Sequence, residues 1–494
     1  MKRMKIKYRV LVWALCFGAL AGCNSYLDVN PKGTVRQEKQ FEDVQGYRDA
    51  MYGIYASMSK TDLYGEALSW GFLDVLAQLS FSNYGYPNDA LEAAHNYKYT
   101  DPYLESLIAK IWSEAYACIS YANNVLENIE NVDLSEDPDY SLIKGEAYGI
   151  RAFLHFDLLR LFCENIMLEP EAGGIPYAYH FDLMNKEVFT LKESYDNILG
   201  DLSKAEACLM NDNEMNPETT SEYQVGRGMH CNKYAVWALK ARVFHYKGDL
   251  DSAAFYAEKV IGSPGLFLVD KSEYKNMEME RFPRGDRSSD RATSEMIWGL
   301  YTKQLYTPYK EMFIEPPFGG NSLSPRNDLD DIFETWSFSA DSEDFRYKAY
   351  FSGSDWSSDK IFTRLLKVDE PASRLQGVCL IRLPEMYYIL AEAAYETDPA
   401  KAARYLSDVR NSRGLADLDS YLTETWEDFK YELIAERCRE FWGEGQMFFW
   451  YKRENATIMD ADSWAYPAIT YKPSSEMYVL PWPKKELEFG GTSK

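Results

Sequence analysis

The sequence is short of the residues that most enzymes use for chemistry. Five histidines (His95, His155, His180, His230 and His245) are spread over 494 residues, and none has a second ligand at metal-binding spacing. No HExxH, GxSxG, GxxxxGKS or GxGxxG occurs, which removes the motif-bearing zinc proteases, serine hydrolases, P-loop enzymes and dinucleotide-binding enzymes. Positive charge is scarce as well, with 53 Lys and Arg against 77 Asp and Glu. The net charge of −24 becomes −29 from Cys23 onward, because the first 22 residues hold five positive charges and no negative ones. Such a surface repels phosphate backbones and argues against a nucleic-acid partner. Eight cysteines include no CxxC pair, so neither a metal site nor a disulfide pattern can be read from them. One enzyme class stays open. A glycoside hydrolase needs only two carboxylates about 5 to 10 Å apart, and so many acidic residues supply such pairs by chance.

Long apolar runs are missing too, except at the start. A basic stretch to Arg9 precedes an apolar run from Val10 to Leu20, too short for a permanent transmembrane helix and proportioned like a secretory signal. It ends in Leu20-Ala21-Gly22-Cys23, which looks like a bacterial lipobox. Residues 1–22 are therefore expected to be a signal peptide and Cys23 to be lipidated. More than one acyl chain is needed for stable anchoring, and a lipoprotein cysteine provides it. The polar stretch 23–36, with Pro31-Lys32-Gly33, is expected to be a tether.

What is abundant is helical periodicity. In Cys231–Ile261, Tyr234, Trp237, Ala238, Ala241 and Phe244 mark one helical face and Ala253, Ala254, Ala257, Val260 and Ile261 another, with Gly248-Asp249 between. Trp237, Ala241, Phe244, Gly248, Ala253 and Ala257 fall in the order of a tetratricopeptide hairpin. Further helices are predicted over 107–129, 143–162, 195–209, 383–395 and 400–410, and one long helix over 426–452. The charges of that last helix, Glu436-Arg437 and Arg439-Glu440, read as ion pairs within the helix. Between about 264 and 380 the period is lost among prolines and glycines. The expected fold is mainly α. A tetratricopeptide-like helical-repeat scaffold (about 107–262 and 380–452) carries an irregular, loop-rich elaboration, all within one domain spanning 37–494.

Aromatics make up 15% of the chain, with 38 tyrosines, more than core packing ordinarily asks for. A flat ring with a polar edge suits the C–H faces and hydroxyls of sugars. The ligand-binding candidates are Trp70, Asn83, Tyr84, Tyr86, Trp336 and Trp356, each in or beside a loop. No cofactor or metal is expected.

Seven blocks, taken in order, resemble the SusD/RagB family of outer-membrane lipoproteins. They are Cys23–Asp28 with Pro31, Arg151–Phe162, the hairpin 237–261, Leu380–Met386 with Ala391–Ala393, Val409–Leu415, Glu436–Phe441 and Leu480–Pro483. The chain departs from the family pattern at Glu444–Trp450, where Gln446-Met447 stands in place of the usual His-Arg. The resemblance implies a non-catalytic surface lipoprotein, lipid-anchored to the outer membrane and facing outward. It would bind oligosaccharides, or peptides in the RagB manner, and pass them to a SusC-like TonB-dependent transporter.

Overall fold

Three of the long helices start at Asp-Pro. The aspartate accepts hydrogen bonds from backbone N–H groups of the first turn, and the proline takes a position where no N–H is needed. This begins α2 (Pro102–Ile129) at Asp101, α3 (Pro138–Phe162) at Asp137 and α8 (Pro399–Ser412) at Asp398. Thr190 and Glu193 cap α4 (Leu191–Cys208) reciprocally. Asn232 caps α5 (Lys233–Lys247), which stops at Gly248 with φ 80°, and Asp249 then caps α6 (Leu250–Ile261). Helix α1 covers Val44–Met58 and α7 covers Leu383–Ala394.

The computed structural model describes residues 37–83, 90–184, 186–212, 222–224, 226–269, 271, 295–302, 305–314, 322–337, 342–353, 360–364, 377–462 and 468–489. The chain forms two compact units, Met1–Tyr47 and Arg48–Lys494. In the first, Gln37–Gln40 is a short helix, Gly46 N donates to Asp43 and Phe41 packs on Tyr47 at 4.7 Å. The second unit holds the helical repeats and everything described below.

Within it each long helix packs on the next in sequence from α2 to α6. The chain then leaves for more than a hundred residues, and α7 returns to pack directly on α6 before α8 packs on α7. The repeat stack is therefore continuous in space although an irregular segment interrupts it in sequence. Within that segment β2 (Met296–Tyr301) pairs antiparallel with β4 (Gly377–Arg382), while its β3 (Ser322–Pro325) pairs antiparallel with β1 (Ser80–Asn83), which precedes α2. All six cysteines from Cys118 to Cys438 are free thiols. No described helix is long and apolar enough to cross a membrane.

Helix α3 is buried on nearly every side, so its polar residues need internal partners. Arg151 clamps Asp201 with two bonds of 2.7 and 2.6 Å and reaches Asn123 Oδ1 at 2.9 Å. His155 stacks on Tyr177 at 3.9 Å; its Nε2 accepts from Ala178 N, which leaves Nδ1–H to donate to Arg151 O. Burial pulls its pKa down to about 3, so it stays neutral. Glu146 accepts from Arg227, from Tyr223 at 2.9 Å and from Tyr55 at 2.5 Å. Burial opposes its charge, yet Arg227 and His230 bring its pKa down to about 2.

The long helix predicted over 426–452 is instead two, α9 (Trp426–Glu440) and α10 (Met447–Arg453). The break is made by Gly443 and Gly445, whose φ of 83° and 65° lie in the left-handed region, and whose N–H groups donate to the Asp74 carboxylate at 2.7 and 3.1 Å. A Cβ on Gly445 would sit 2.5 Å from Leu68 O. The charges of α9 also differ from the expectation. Glu436–Arg439 is an in-helix pair at 3.1 Å, but most partners come from distant segments. Glu440 takes Arg382 Nη1 and Arg413 Nη2, both at 2.7 Å, and Arg346 Nη1 at 2.8 Å. Arg346 also reaches Glu436 and Asp344, while Arg413 also reaches Glu295. Local spacing could not reveal this, since every one of those partners lies 27 or more residues away from the glutamate it meets.

Burial opposes the charge on Glu436 and Glu440, but the arginines prevail, holding Glu436 at about 2 and Glu440 well below the usual carboxylate range. A carboxylate with a depressed folded pKa contributes stability above its unfolded value and loses it as pH falls toward the folded one. Urea midpoints are therefore expected to drop steeply from about pH 4.5 to about pH 2, with Glu146 acting the same way. Glu440→Gln, which strips a shared counter-charge from three buried arginines, is expected to cost about 3–5 kcal/mol at pH 7 by the same measurement.

Candidate functional site

Two short strands from distant parts of the chain form a ladder that gathers several segments. In the β1–β3 ladder Ser80 faces Pro325 and Asn83 faces Ser322. Because the ladder is antiparallel, the chain leaves β1 toward 84–89 at the same end where it enters β3 from 315–321. Beyond the other end, Arg326 N donates to Leu79 O and Asn327 N donates to Ala461 O at 2.9 Å. Asn327 Nδ2 adds a bond to Asp462 at 3.2 Å. Residues far apart in sequence are thus tied to one small ladder.

Gln78, just before β1, is the joint. Its side chain is buried, donates to His95 O at 2.8 Å and accepts from Ala461 N at 3.1 Å. Those bonds hold it at φ 57°, and Tyr97, whose hydroxyl donates to Leu76 O, is held at φ 53°. Non-glycine residues in this region cost about 1–3 kcal/mol each and persist only where surrounding contacts impose them. Tyr97 meets Tyr471 edge to face at 4.8 Å, and Tyr471 donates to Asp460 at 2.7 Å. His95 lies 3.5 Å from the same carboxylate; burial lowers its pKa while Asp460 opposes the shift. The result is a pair of half-buried tyrosine rings beside Asp460, Asn327 and the exposed Asp462.

Trp336 lies 11 residues beyond Pro325, on a 3-10 turn (Thr335–Ser337) that follows the left-handed Glu334. Its side chain is 75% exposed, yet the turn is pinned from beneath. Phe333 packs into the core at 5.6 Å from Phe351, Arg439 donates to Ile332 O at 2.8 Å, and Asp330 accepts from both Thr335 and Tyr347. A large ring on a secured turn and facing solvent is open to a flat ligand that stacks on it.

Trp70 is the correction. It is fully buried (0% exposed), packed edge to face on Tyr309 at 5.3 Å and beside Phe313 at 5.9 Å, so it offers a ligand no ring face. The stretch after Tyr64 coils tightly, burying Leu68, Ser69 and Trp70 together. Asn83 closes β1 at its loop end. Tyr84, Tyr86, Trp356 and the lipidation residue Cys23 lie outside the described residues. Tyr97, Tyr471 and Asn327 were not singled out from sequence, and no signal there could have done so. Tyr97 follows a helical run, and its ring partner is more than 370 residues away. Among the described residues, no group of three or more His, Cys, Asp and Glu could hold a metal ion.

The fold defines a tetratricopeptide-like helical body that carries an irregular elaboration. Comparisons with known proteins narrow this. Residues 25–244 match a family model described as starch-binding associating with outer membrane, and residues 367–486 match the SusD family model. The chain belongs to the SusD/RagB family. It is 28% identical over 285 residues to SusD-like protein P2 of Formosa agariphila, a match spanning 56% of this chain but only 50% of that relative. SusD-like protein P38 of the same organism is 22% identical, with 92% of each chain covered. Among solved structures, a SusD superfamily protein from Bacteroides thetaiotaomicron shares the fold with TM-score 0.70 at 22% identity, over 90% of this chain and 98% of that one. A SusD-like carbohydrate binding protein from Bacteroides vulgatus shares it with TM-score 0.68 at 18% identity, over 90% and 96%.

The two tryptophans separate core from surface. Trp70→Ala is expected to destabilise by about 3–5 kcal/mol, and Trp336→Ala by less than about 0.5 kcal/mol, in thermal or urea denaturation. Gln78→Ala leaves two buried backbone groups unpaired and is expected to cost about 2 kcal/mol in the same assay.

Proposed function

We propose that this chain is an exterior-facing lipoprotein, anchored to the outer membrane through Cys23, which binds oligosaccharides without catalysis and hands them to a SusC-like TonB-dependent transporter. Family membership supports the general reading of a carbohydrate-binding surface protein. The observation that carries the ligand class is Trp336, a ring 75% exposed on a turn secured by a buried arginine. The group around the β1–β3 ladder has chemistry that suits the same ligand. Tyrosine rings supply apolar faces, and the Asp462 carboxylate and the Asn327 side chain accept or donate to hydroxyls. The strongly acidic composition fits a neutral or cationic ligand better than an anionic one.

Calorimetry of the mature protein against panels of oligosaccharides and peptides tests this. A glycan from the panel is expected to bind. Trp336→Ala is expected to weaken it at least about tenfold, the loss of one stacking contact worth about 1.4 kcal/mol, while the melting temperature stays unchanged. Peptide binding without glycan binding would replace the ligand class with that of a RagB-type peptide lid. Turnover of any panel member would overturn the non-catalytic reading. Failure of a large β-barrel to co-purify from solubilised outer membrane would remove the transporter.

A further inference from the structure

A second buried charge cluster lies where five helices of the body meet. It contains Asp157 and Arg160 of α3, Arg242 and His245 of α5, Glu385 and Glu392 of α7, Arg437 of α9, and Trp450 and Arg453 of α10. Each carboxylate oxygen here already has a donor. Arg242 grips Glu385 with two bonds of 2.6 Å; Arg453 and His245 take one oxygen each of Glu392 at 2.7 Å; Arg160 and Tyr64 take those of Asp157. Yet Nε and Nη2 of Arg437, Nη1 of Arg242, Nε of Arg160 and Nε1 of Trp450 have no hydrogen-bond partner among the described residues. Each of these atoms is a donor; the Tyr246 hydroxyl beside Arg160 also has no partner there and can donate or accept.

They lie close together. The Arg437 guanidinium is 5.6 Å from the Trp450 ring and feels both Glu392 and Glu385, while Glu385 in turn feels Arg242, Arg437 and Arg160. Charge is also unbalanced. Four guanidinium groups stand against Asp157, Glu385 and Glu392. The further carboxylate on Arg453, Glu454, is matched by Lys430 at 2.6 Å. Burial and Arg453 lower the pKa of His245 and keep it neutral, and Lys452 spends its ammonium on two backbone carbonyls. The side chains are buried but not sealed. Arg242 and Arg437 each keep 4% exposure, and Glu385, Glu392 and Trp450 each keep 6%.

We propose that this cluster binds one small monovalent anion, chloride in ordinary buffers, held by Arg437, Arg242 and Trp450 inside the helical body. Leaving several buried N–H groups unpaired costs about 1–3 kcal/mol apiece, so something must satisfy them. A water molecule can accept from these donors and donate back to the second lone pairs of the carboxylate oxygens, but it leaves the surplus positive charge uncancelled. A spherical anion accepts several N–H bonds at once and cancels the surplus charge. It joins α5, α7, α9 and α10, which come from either side of the irregular segment, and so belongs to the rigid body rather than to the ligand face.

Crystals of the unaltered mature protein grown in sodium bromide, measured at the bromine absorption edge, test the site directly. An anomalous peak about 3.2–3.6 Å from Arg437 Nε or Nη2 is expected. Ordered water without anomalous signal there, or bromide only at the surface, would overturn the proposal. In solution at constant ionic strength, replacing a bulky weakly binding anion with chloride is expected to raise the melting temperature by about 2–3 °C at an about 100-fold excess over Kd. Arg437→Gln is expected to abolish that rise, and a rise that persists would overturn the assignment to Arg437. If that variant does not fold, the bromide measurement on the unaltered protein decides alone.

Discussion

Glu440 is fully buried yet held as an anion, and the meeting of the returning repeats with the irregular segment depends on how that is arranged. Three guanidinium groups surround its carboxylate, from Arg346 inside the irregular segment, Arg382 at the end of β4 and Arg413 just beyond α8. Removing ions from water costs several kcal/mol each, and their mutual attraction offsets this only when the geometry is good. Such a cluster adds less net stability than its number of bonds implies. Its bonds tie the elaboration, β4 and the returning repeats to one carboxylate, a lock where those segments meet.

From this lock the order reaches the surface along short paths. One turn back from Glu440, Glu436 binds Arg346, while Arg439 reaches out to Ile332 O and steadies the turn that displays Trp336. Just past Glu440, Gly443 and Gly445 donate to the buried Asp74, whose pKa burial raises to about 8 against those same hydrogen bonds. Four residues after Asp74 comes Gln78, the joint of the β1–β3 ladder. The candidate face is thus attached to the body through a few buried polar contacts, a division that would suit a binder whose recognition is carried outside a rigid scaffold.

Much of the body was legible from sequence because helical periodicity and caps are local. Tyr234 to Ile261 announced a hairpin, and Gly248 ends α5 with the positive φ such a turn requires. Met296–Tyr301 forms a strand inside the stretch where the helical period is lost. The 426–452 stretch misled, because nothing local shows that Gly443 and Gly445 would face a carboxylate from residue 74. Trp70 misled for the opposite reason, since a tryptophan among turn residues can be displayed or swallowed, and only the arrival of Tyr309 and Phe313 decides. Of the candidate face, Trp336 was named from sequence and is exposed, whereas Tyr97 with Tyr471 could not be named.

By itself the sequence determined the helices, their caps and their order, the likeness to one family, and the scarcity of catalytic residues. These depend on neighbours within a few turns, where backbone hydrogen bonding and apolar spacing act. Which side chains would be interior ions, which aromatic would face solvent and where the chain would bend were settled only by tertiary structure. Burial decides those questions, and burial depends on partners that chain connectivity places tens to hundreds of residues away.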